Sequence, residues 1–523
     1  MDGSTLAPTF MAPAAVYPTL PNLNLTEEEA GTATWLAQRL FQVRQPLELR
    51  GLYYDGMQKM QDLGISIPPQ LTGLRTVVGW PAIGIDALVN RTIVEGFRYP
   101  GQTDVDDELM SIWQANDLDT EAPLAHLDAL NHGRAYAVIG PADEDSLTGE
   151  PLITYESALN MIAVYDARLR RVTAALQMYV DMSFTSETYG HEVAALYLPG
   201  KTIHMARSQS GGPSRQWEIT TDPDDTEQLG GRLPVVRLAN RQRLSNRDGQ
   251  SEIRASWMNT VDSACRTLLG LEVGREFHIA PRKYALGVQE SAFVDANGNA
   301  KTAWETYLNK VWMLEADDEG NVPTVGQFPG QDPSGYTKIL ETYADIMCGE
   351  MGLPGSMLGR HADGNPASAD AIRAGYEELT SRARMKQVAF AGGHEETMQI
   401  ALMVKHGRDA LPENAHRIET DWRNPAPETP AGTTDAIAKQ VAAGIIPPRS
   451  DVTLKRLSYS PVERARLADD WTDEQGRTAL QDIHDMLKQR AQGGAPAEHA
   501  QPAGPSPADM PKKVPVRGDG EPR

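Results

Sequence analysis

The chain has 523 residues, with 49 Lys and Arg against 71 Asp and Glu, 40% hydrophobic residues and a net charge of −22. The length allows about three or four domains, the apolar content supports packed cores and excludes global disorder, and the acidic balance argues against gripping nucleic acid by neutralising its phosphates. The longest apolar runs, such as Met161 to Tyr165 and Val193 to Leu198, fall far short of the ~18 residues of a membrane-spanning helix.

Residues 1–25 carry Pro8, Pro13, Pro18 and Pro21 without periodicity and no basic residue before Arg39. They are expected to be a flexible arm without a secretory signal, on a protein that stays where it is made. Thr26 with Glu29 three residues on is a capping box, opening a helix toward Met60 with a kink or break at Pro46. Helical patterns follow at 81–95, 104–116 and 121–132. From Leu152 to about Leu238 alternation such as Leu176, Met178, Val180 and turn signals at Pro199-Gly200 and Asp222-Pro223 predict short strands. Residues 26–250 thus form a mixed first domain.

A helix restarts at Ser251, with Ile253, Trp257, Val261, Ala264, Leu268 and Leu271 on one apolar stripe. Residues 281–333 are irregular and β-like, with hairpin signals at Asn297-Gly298 and Glu319-Gly320-Asn321. A second stripe runs through Tyr336, Leu340, Tyr343, Met347 and Met351, carries Gly349 inside it as a weak point, and is stopped by Gly352 and Pro354. A loop, 353–364, leads to Asn365 and Pro366, N-cap and first residue of the longest helical pattern, which reaches about His406 with a kink expected at Gly392-Gly393. His416 to Trp422 reads as a returning strand and 430–490 as helical, with boundaries at Pro447-Pro448 and Pro461. The last 33 residues hold seven Pro and five Gly, too little apolar surface to offset ordering entropy, and are expected to be disordered. The fold class is α+β, mainly helical.

Ala195 to Thr202 satisfies a loose P-loop pattern, but a Pro-Gly turn followed by the strand-like Thr202-Ile-His-Met205 gives no phosphate cradle; a hairpin is the better reading. His191-Glu192 and His394-Glu395 begin like zinc-protease motifs and lack the second histidine. His126 and His132, six apart, do not share a helical face, and ordinary hydrogen-bonded histidines outweigh metal ligands. Asp295 to Asn299 lacks the later bidentate Glu of a calcium loop. Cys265 and Cys348 have neither CxxC spacing nor a disulfide framework and are expected as core residues in helices. No catalytic residue, metal site or cofactor emerges, which leaves a large structural or assembly subunit.

Four strings stand out, Tyr53-Tyr-Asp-Gly56, Val325-Gly-Gln-Phe-Pro329, Met351-Gly-Leu-Pro354 and Asn365-Pro-Ala-Ser-Ala-Asp-Ala-Ile-Arg373. Together with the order of parts, over about residues 26–490, they resemble the portal proteins of tailed bacteriophages, the SPP1-type family, especially those of phages infecting actinobacteria. It implies a non-enzymatic dodecameric ring in the virion, assembled in the host cytoplasm and placed at one capsid vertex. Double-stranded DNA is packaged and ejected through the ring without sequence-specific binding. Terminase and then the head-to-tail adaptor would dock on it, and capsid protein would surround it. By resemblance, 26–250 is a wing, 251–280 and 334–352 the stem helices, 281–333 a clip, 353–364 a tunnel loop, 365–429 a long kinked helix returning to the wing, and 430–490 a crown. Expected stem-packing residues are Ile253, Trp257, Val261, Leu268, Tyr336, Leu340, Tyr343 and Met347. Expected DNA-facing loop residues are Gly355, Ser356, Gly359, Arg360, His361, Asp363 and Gly364, with Asp363 as an alternative surface partner for Arg360. Twelve copies carry about −264, which suits a conduit that does not hold its cargo. The alternatives are another virion or adaptor subunit, or a nucleotide-dependent packaging enzyme with a working P-loop.

Overall fold

The computed structural model describes residues 25–59, 76–142 without 103, 148–207, 217–278 without 221 and 222, 283–287, 322 and 324–327, 334–360, 369–426, and most of 430–472. The chain divides into two compact units, Met1–Pro427 and Glu428–Arg523.

Helix α1, Glu27–Tyr54, begins at the expected capping box: the Thr26 hydroxyl accepts from Glu29 N–H, and the Glu29 carboxylate accepts from Thr26 N–H. It runs through Pro46 and stops six residues earlier than expected, because Asp55 caps it and Gly56 turns left-handed at φ +66°. Burial of Leu36, Leu40 and Leu47 holds it across the bond that proline removes. Helix α2, Trp80–Val89, has proline in its first turn, and the next segment corrects the sequence expectation: Val94–Arg98 is strand β1 rather than the end of a helix. Helices α3, Asp107–Ala115, capped by Asp106, and α4, Leu118–His132, follow. Gly133, at φ +97°, ends α4 where an added Cβ would lie 2.9 Å from the Gln250 backbone.

The strands are β2 Arg134–Gly140, β3 Leu152–Ser157, β4 Met161–Asp166, β5 Arg171–Val180, β6 Glu192–Leu198, β7 Lys201–Arg207, β8 Glu218–Ile219, β9 Asp224–Asp225 and β10 Val235–Ala239. They form a three-stranded sheet, β10-β2-β3, and an antiparallel sheet in the order β4-β5-β6-β7-β8, with β9 also on β7. Strand β2 lies outside the strand region read from sequence; it follows α4 directly, after Gly133. The two-residue period sorts the larger sheet. Ala174, Leu176, Ala194, Leu196 and Leu198 meet Leu36 and Leu40 of α1, whereas Ala175, Ala195 and Tyr197 join Tyr136, Leu233 and Val235 in a second core.

Pro199-Gly200 closes the β6–β7 hairpin, with Gly200 at φ +82°. No helix follows it, so the P-loop resemblance ends here, and Lys201 instead pairs with Glu29 at the start of α1. That contact, with the hydrogen bonds from Thr26, holds Glu29 below the usual carboxylate range. Lys201→Ala is therefore expected to cost at most about 1 kcal/mol in thermal or chemical unfolding. ATP turnover abolished by this substitution would revive a phosphate-binding loop.

Helix α5, Ala255–His278, starts four residues later than its stripe suggests, and Ile253 precedes it. Strands β11, Lys283–Leu286, and β12, Thr324–Gln327, form an antiparallel pair; the hairpin signals at 297–298 and 319–321 and the calcium-loop candidate lie outside the described residues. Helix α6, Ser334–Met351, runs uninterrupted through Gly349. Helix α7, Ala369–His406, has 38 residues and spans Gly392-Gly393 as one helix, ~57 Å at 1.5 Å per residue. At Gly393 a Cβ would come within 3.1 Å of Leu238, so this glycine lets α7 lie close on β10. The Asn365-Pro366 start falls outside the described residues. The returning strand β13 is shorter than expected, Glu419–Trp422, after a 3-10 turn at Ala415–Arg417, and it pairs antiparallel with β1. The largest core gathers α2 to α7 with β1, β2, β3 and β10. The second unit holds α8, Pro430–Ala442, α9, Asp451–Arg456, capped by the Ser450 hydroxyl, and a helical stretch at 462–472. Residues 491–523 lie outside the described residues.

Candidate functional site

Helices α5 and α6 pack along each other, and β11 and β12 follow and precede them. Their stripes divide in two. Ile253, Trp257, Val261, Ala264 and Cys265 of the first, and Met347 and Met351 of the second, are buried in the largest core beside Ile85, Leu379 and Ala383. Leu268, Leu340 and Tyr343 pack on that core only half-buried, Tyr336 is also half-buried, and Ile339 and Ile346 are exposed. Four of the six residues of the first stripe and two of the five of the second are thus buried within the chain itself. Both cysteines are free and buried as expected, and burial pushes their thiols up.

Polar contacts fix the inner end of the helix pair. The Tyr53 hydroxyl donates to Asp262 at 2.9 Å, and the Ser256 hydroxyl donates across the pair to Glu350 at 2.6 Å. Burial raises the Asp262 carboxyl despite that hydrogen bond. The end of α6 is closed by Gly352, at φ +70°, and by Leu353 N–H donating to the Cys348 carbonyl at 3.0 Å. Arg382 of α7 donates to the Glu350 carbonyl at 2.6 Å, placing a cation at the negative end of α6. The left-handed backbone at Gly352 favours glycine, and a Cβ there would lie 2.6 Å from Arg382 Nε and push that side chain aside.

The loop after α6 opens with a 3-10 turn, Gly355–Leu358, ended by Gly359 at φ +79°. Gly355 and Ser356 lie in this turn, which hydrogen bonds to itself through Arg360 N–H and the Gly355 carbonyl at 3.0 Å. Arg360 folds back on α6, to Asp345 at 2.8 Å and Glu341 at 3.4 Å. Its charge is thereby balanced by two carboxylates of its own subunit. His361, Asp363 and Gly364 lie outside the described residues. Arg382, Ser256 and Glu350 had no sequence signal, because their roles depend on three helices meeting.

A profile of phage portal proteins of the SPP1 Gp6-like family matches residues 42–477. The chain belongs to that family. It is 31% identical over 504 residues to the portal protein of Mycobacterium phage L5, covering 95% of this chain and 98% of the relative. It is 33% identical over 438 residues to the portal protein of Mycobacterium phage D29, covering 82% and 85%. The portal family is structural rather than catalytic. No three His, Cys, Asp or Glu side chains come together as metal ligands among the described residues. No described helix is long and apolar enough to cross a membrane.

The histidines form a cluster that sequence reading missed. His126 on α4 and His394 on α7 are fully buried with their Nε2 atoms 2.7 Å apart, and the Tyr155 hydroxyl lies 3.2 Å from His394 Nδ1. Phe390 stacks on His126 at 4.8 Å, while Trp113 and Trp422 close the box. Burial pushes His126 down to about 3 and His394 well below its ordinary value. One ring donates and the other accepts, both neutral. His132 instead faces Asp128 at 3.3 Å. A spacing of 268 residues between the paired histidines hides them from any local motif.

Proposed function

We propose that this subunit closes with its copies into a dodecameric ring at the unique capsid vertex, through which DNA is packaged and ejected. The observation that carries this is the packed α5–α6 pair with an antiparallel ladder beyond it, in a chain that matches the portal family over most of its length. On this proposal residues 26–250 form the wing, α5 and α6 the stem, 281–333 the clip, 353–364 the channel loop, 365–429 the long helix and its return, and 430–490 the crown. The clip would receive terminase during packaging and the head-to-tail adaptor afterwards, capsid protein would surround the ring, and the assembled ring would form in the host cytoplasm before joining the virion. The half-buried residues Tyr336, Leu340 and Tyr343 would meet neighbouring stems.

Glycines at 355, 359 and 364 and prolines at 354 and 366 give the loop freedom between fixed ends. About twelve residues exceed the 2–8 usual between packed helices. Because Arg360 is already paired, the loop would act on passing DNA through its position more than through one cation. Deleting Met357 to Asp363 is expected to leave rings intact in negative-stain images and to impair DNA packaging or retention in assembled heads. Normal packaging and retention would reduce the loop to a connector, and a chain that forms no ring would refute the proposed function itself.

A further inference from the structure

The turn between β5 and β6, residues 181–190, is held by its own polar groups. Asp181 accepts from Ser183 N–H at 2.9 Å and from the Thr188 hydroxyl at 2.6 Å, and Gly190 N–H donates to the Asp181 carbonyl at 2.7 Å. This frame holds large apolar side chains in solvent: Phe184 is 85% exposed, Met182 71% and Tyr189 48%. The Phe184 and Tyr189 rings meet edge to face, 5.6 Å between centroids, so the knob is already packed. Single exposed apolar residues are ordinary, but three clustered on one fixed turn mark a contact surface. Glu187 adds one negative charge with no ion-pair partner among the described residues.

A surface of the opposite kind lies on α7. An open groove of about 510 Å³ between α7 and β13 is lined by the apolar Val388, Ala391, Trp422 and Pro425 and by the polar Arg384, Gln387, Thr420, Arg423 and Asn424. Val388 is 70% and the nearby Met385 65% exposed, although Lys386, Gln387 and Phe390 on the same stretch of helix are buried. Arg384 has no ion-pair partner among the described residues. None of residues 181–190 lines that groove in its own subunit.

A cyclic assembly of more than two copies needs a heterologous interface, one surface of each subunit fitting a different surface of the next. We propose that the 182–189 tip of one subunit docks in the α7–β13 groove of its neighbour. Phe184 and Met182 cover Val388 and Trp422 there, and Glu187 faces Arg384, while Arg423 stays paired with Glu95 of its own subunit at 3.2 Å. The occupant is a second copy of this chain because the knob exposes apolar side chains beside one unpaired acid, Glu187, while the groove exposes Val388 beside one cation, Arg384, that has no ion-pair partner among the described residues. The charge pairing sets register more than affinity. This inference rests on the ring proposed above.

The full chain carrying both Phe184→Cys and Val388→Cys is expected, after assembly and oxidation, to give a ladder of covalently linked subunits on a non-reducing gel. Each single variant gives none, and the native Cys265 and Cys348 are buried and do not compete. Intact rings in negative-stain images without a ladder would overturn the docking while leaving the ring, whereas wild-type protein without rings would overturn the ring. A chain made assembly-deficient by the cysteines is replaced by charge reversal. Glu187→Arg and Arg384→Glu are each expected to raise the concentration at half-assembly at least tenfold, and together to recover most of that loss. Reversals with no effect, as expected for a tip that meets some other virion protein, or a pair without recovery, would sink the proposal.

Discussion

Lowering the pH from 7 to 5 is expected to remove about 3–4 kcal/mol of subunit stability through His126 and His394 alone. In the fold both rings are neutral, with His126 held at about 3 and His394 well below its ordinary value by complete burial. In the unfolded chain each binds a proton below pH ~6.5. The unfolded state therefore holds two more protons than the folded state, and stability rises with pH by about 2.7 kcal/mol per unit in this window. It is complete above pH ~6.5 and lost as the pH falls. His132, lowered by burial although Asp128 opposes this, acts with the same sign. Asp128, Glu395 and Glu396, all raised by burial, act with the opposite sign nearer the carboxylate range. The interval from pH 6.5 to 5 thus reports the histidines. Urea-unfolding midpoints measured across it should fall steeply for the wild type and about half as steeply for His394→Gln. A wild-type midpoint that does not move would show that the box admits protons without cost.

Local chemistry carried much of the fold. The capping box at Thr26, the stripe from Trp257 to Val261, the stop at Gly352 and the Pro199-Gly200 hairpin depend on residues within a few positions of each other, and the structure has them in place. The misses depend on distant partners. Residues 94–95 look helical until Trp422 pairs with Val94, and α1 crosses Pro46 because the sheet covers its apolar side. At the candidate site, the helix pair was legible from period alone, but the way Arg382 closes α6 and Arg360 folds back on Asp345 was not. A 3.6-residue period tells that a stripe is buried without telling what buries it. That is why the burial of part of each stripe in the chain's own core was not legible from the period.

Replacing Lys386 with Met should destabilise the subunit by about 3 kcal/mol, because one charge of a buried network would lose its partner. Lys386 of α7 donates to Glu252 at 2.5 Å and to Asn240 at 2.7 Å. Asn240 donates to the same carboxylate oxygen at 2.9 Å, and Arg241 reaches the other at 3.1 Å. Burial pushes the Glu252 carboxyl up, and the Lys386 charge and these hydrogen bonds more than reverse it; burial lowers the ammonium of Lys386. Three parts of the chain meet here, since Asn240 follows β10, Glu252 leads into α5, and Lys386 lies mid-way along α7. The network therefore sets where α5 leaves the body of the first unit, a position that a ring must repeat in every copy. Removing both charges, Lys386→Met with Glu252→Gln, should recover at least half of the loss, because a neutral amide can still serve Asn240 without leaving a buried ion unpaired. Unfolding midpoints of the two single variants and the double close a cycle that isolates the coupling. A single-variant loss under about 0.5 kcal/mol would place the pair among surface ion pairs. A double variant worse than either single would mean that Glu252 is held chiefly by Arg241 and Asn240, with Lys386 a bystander.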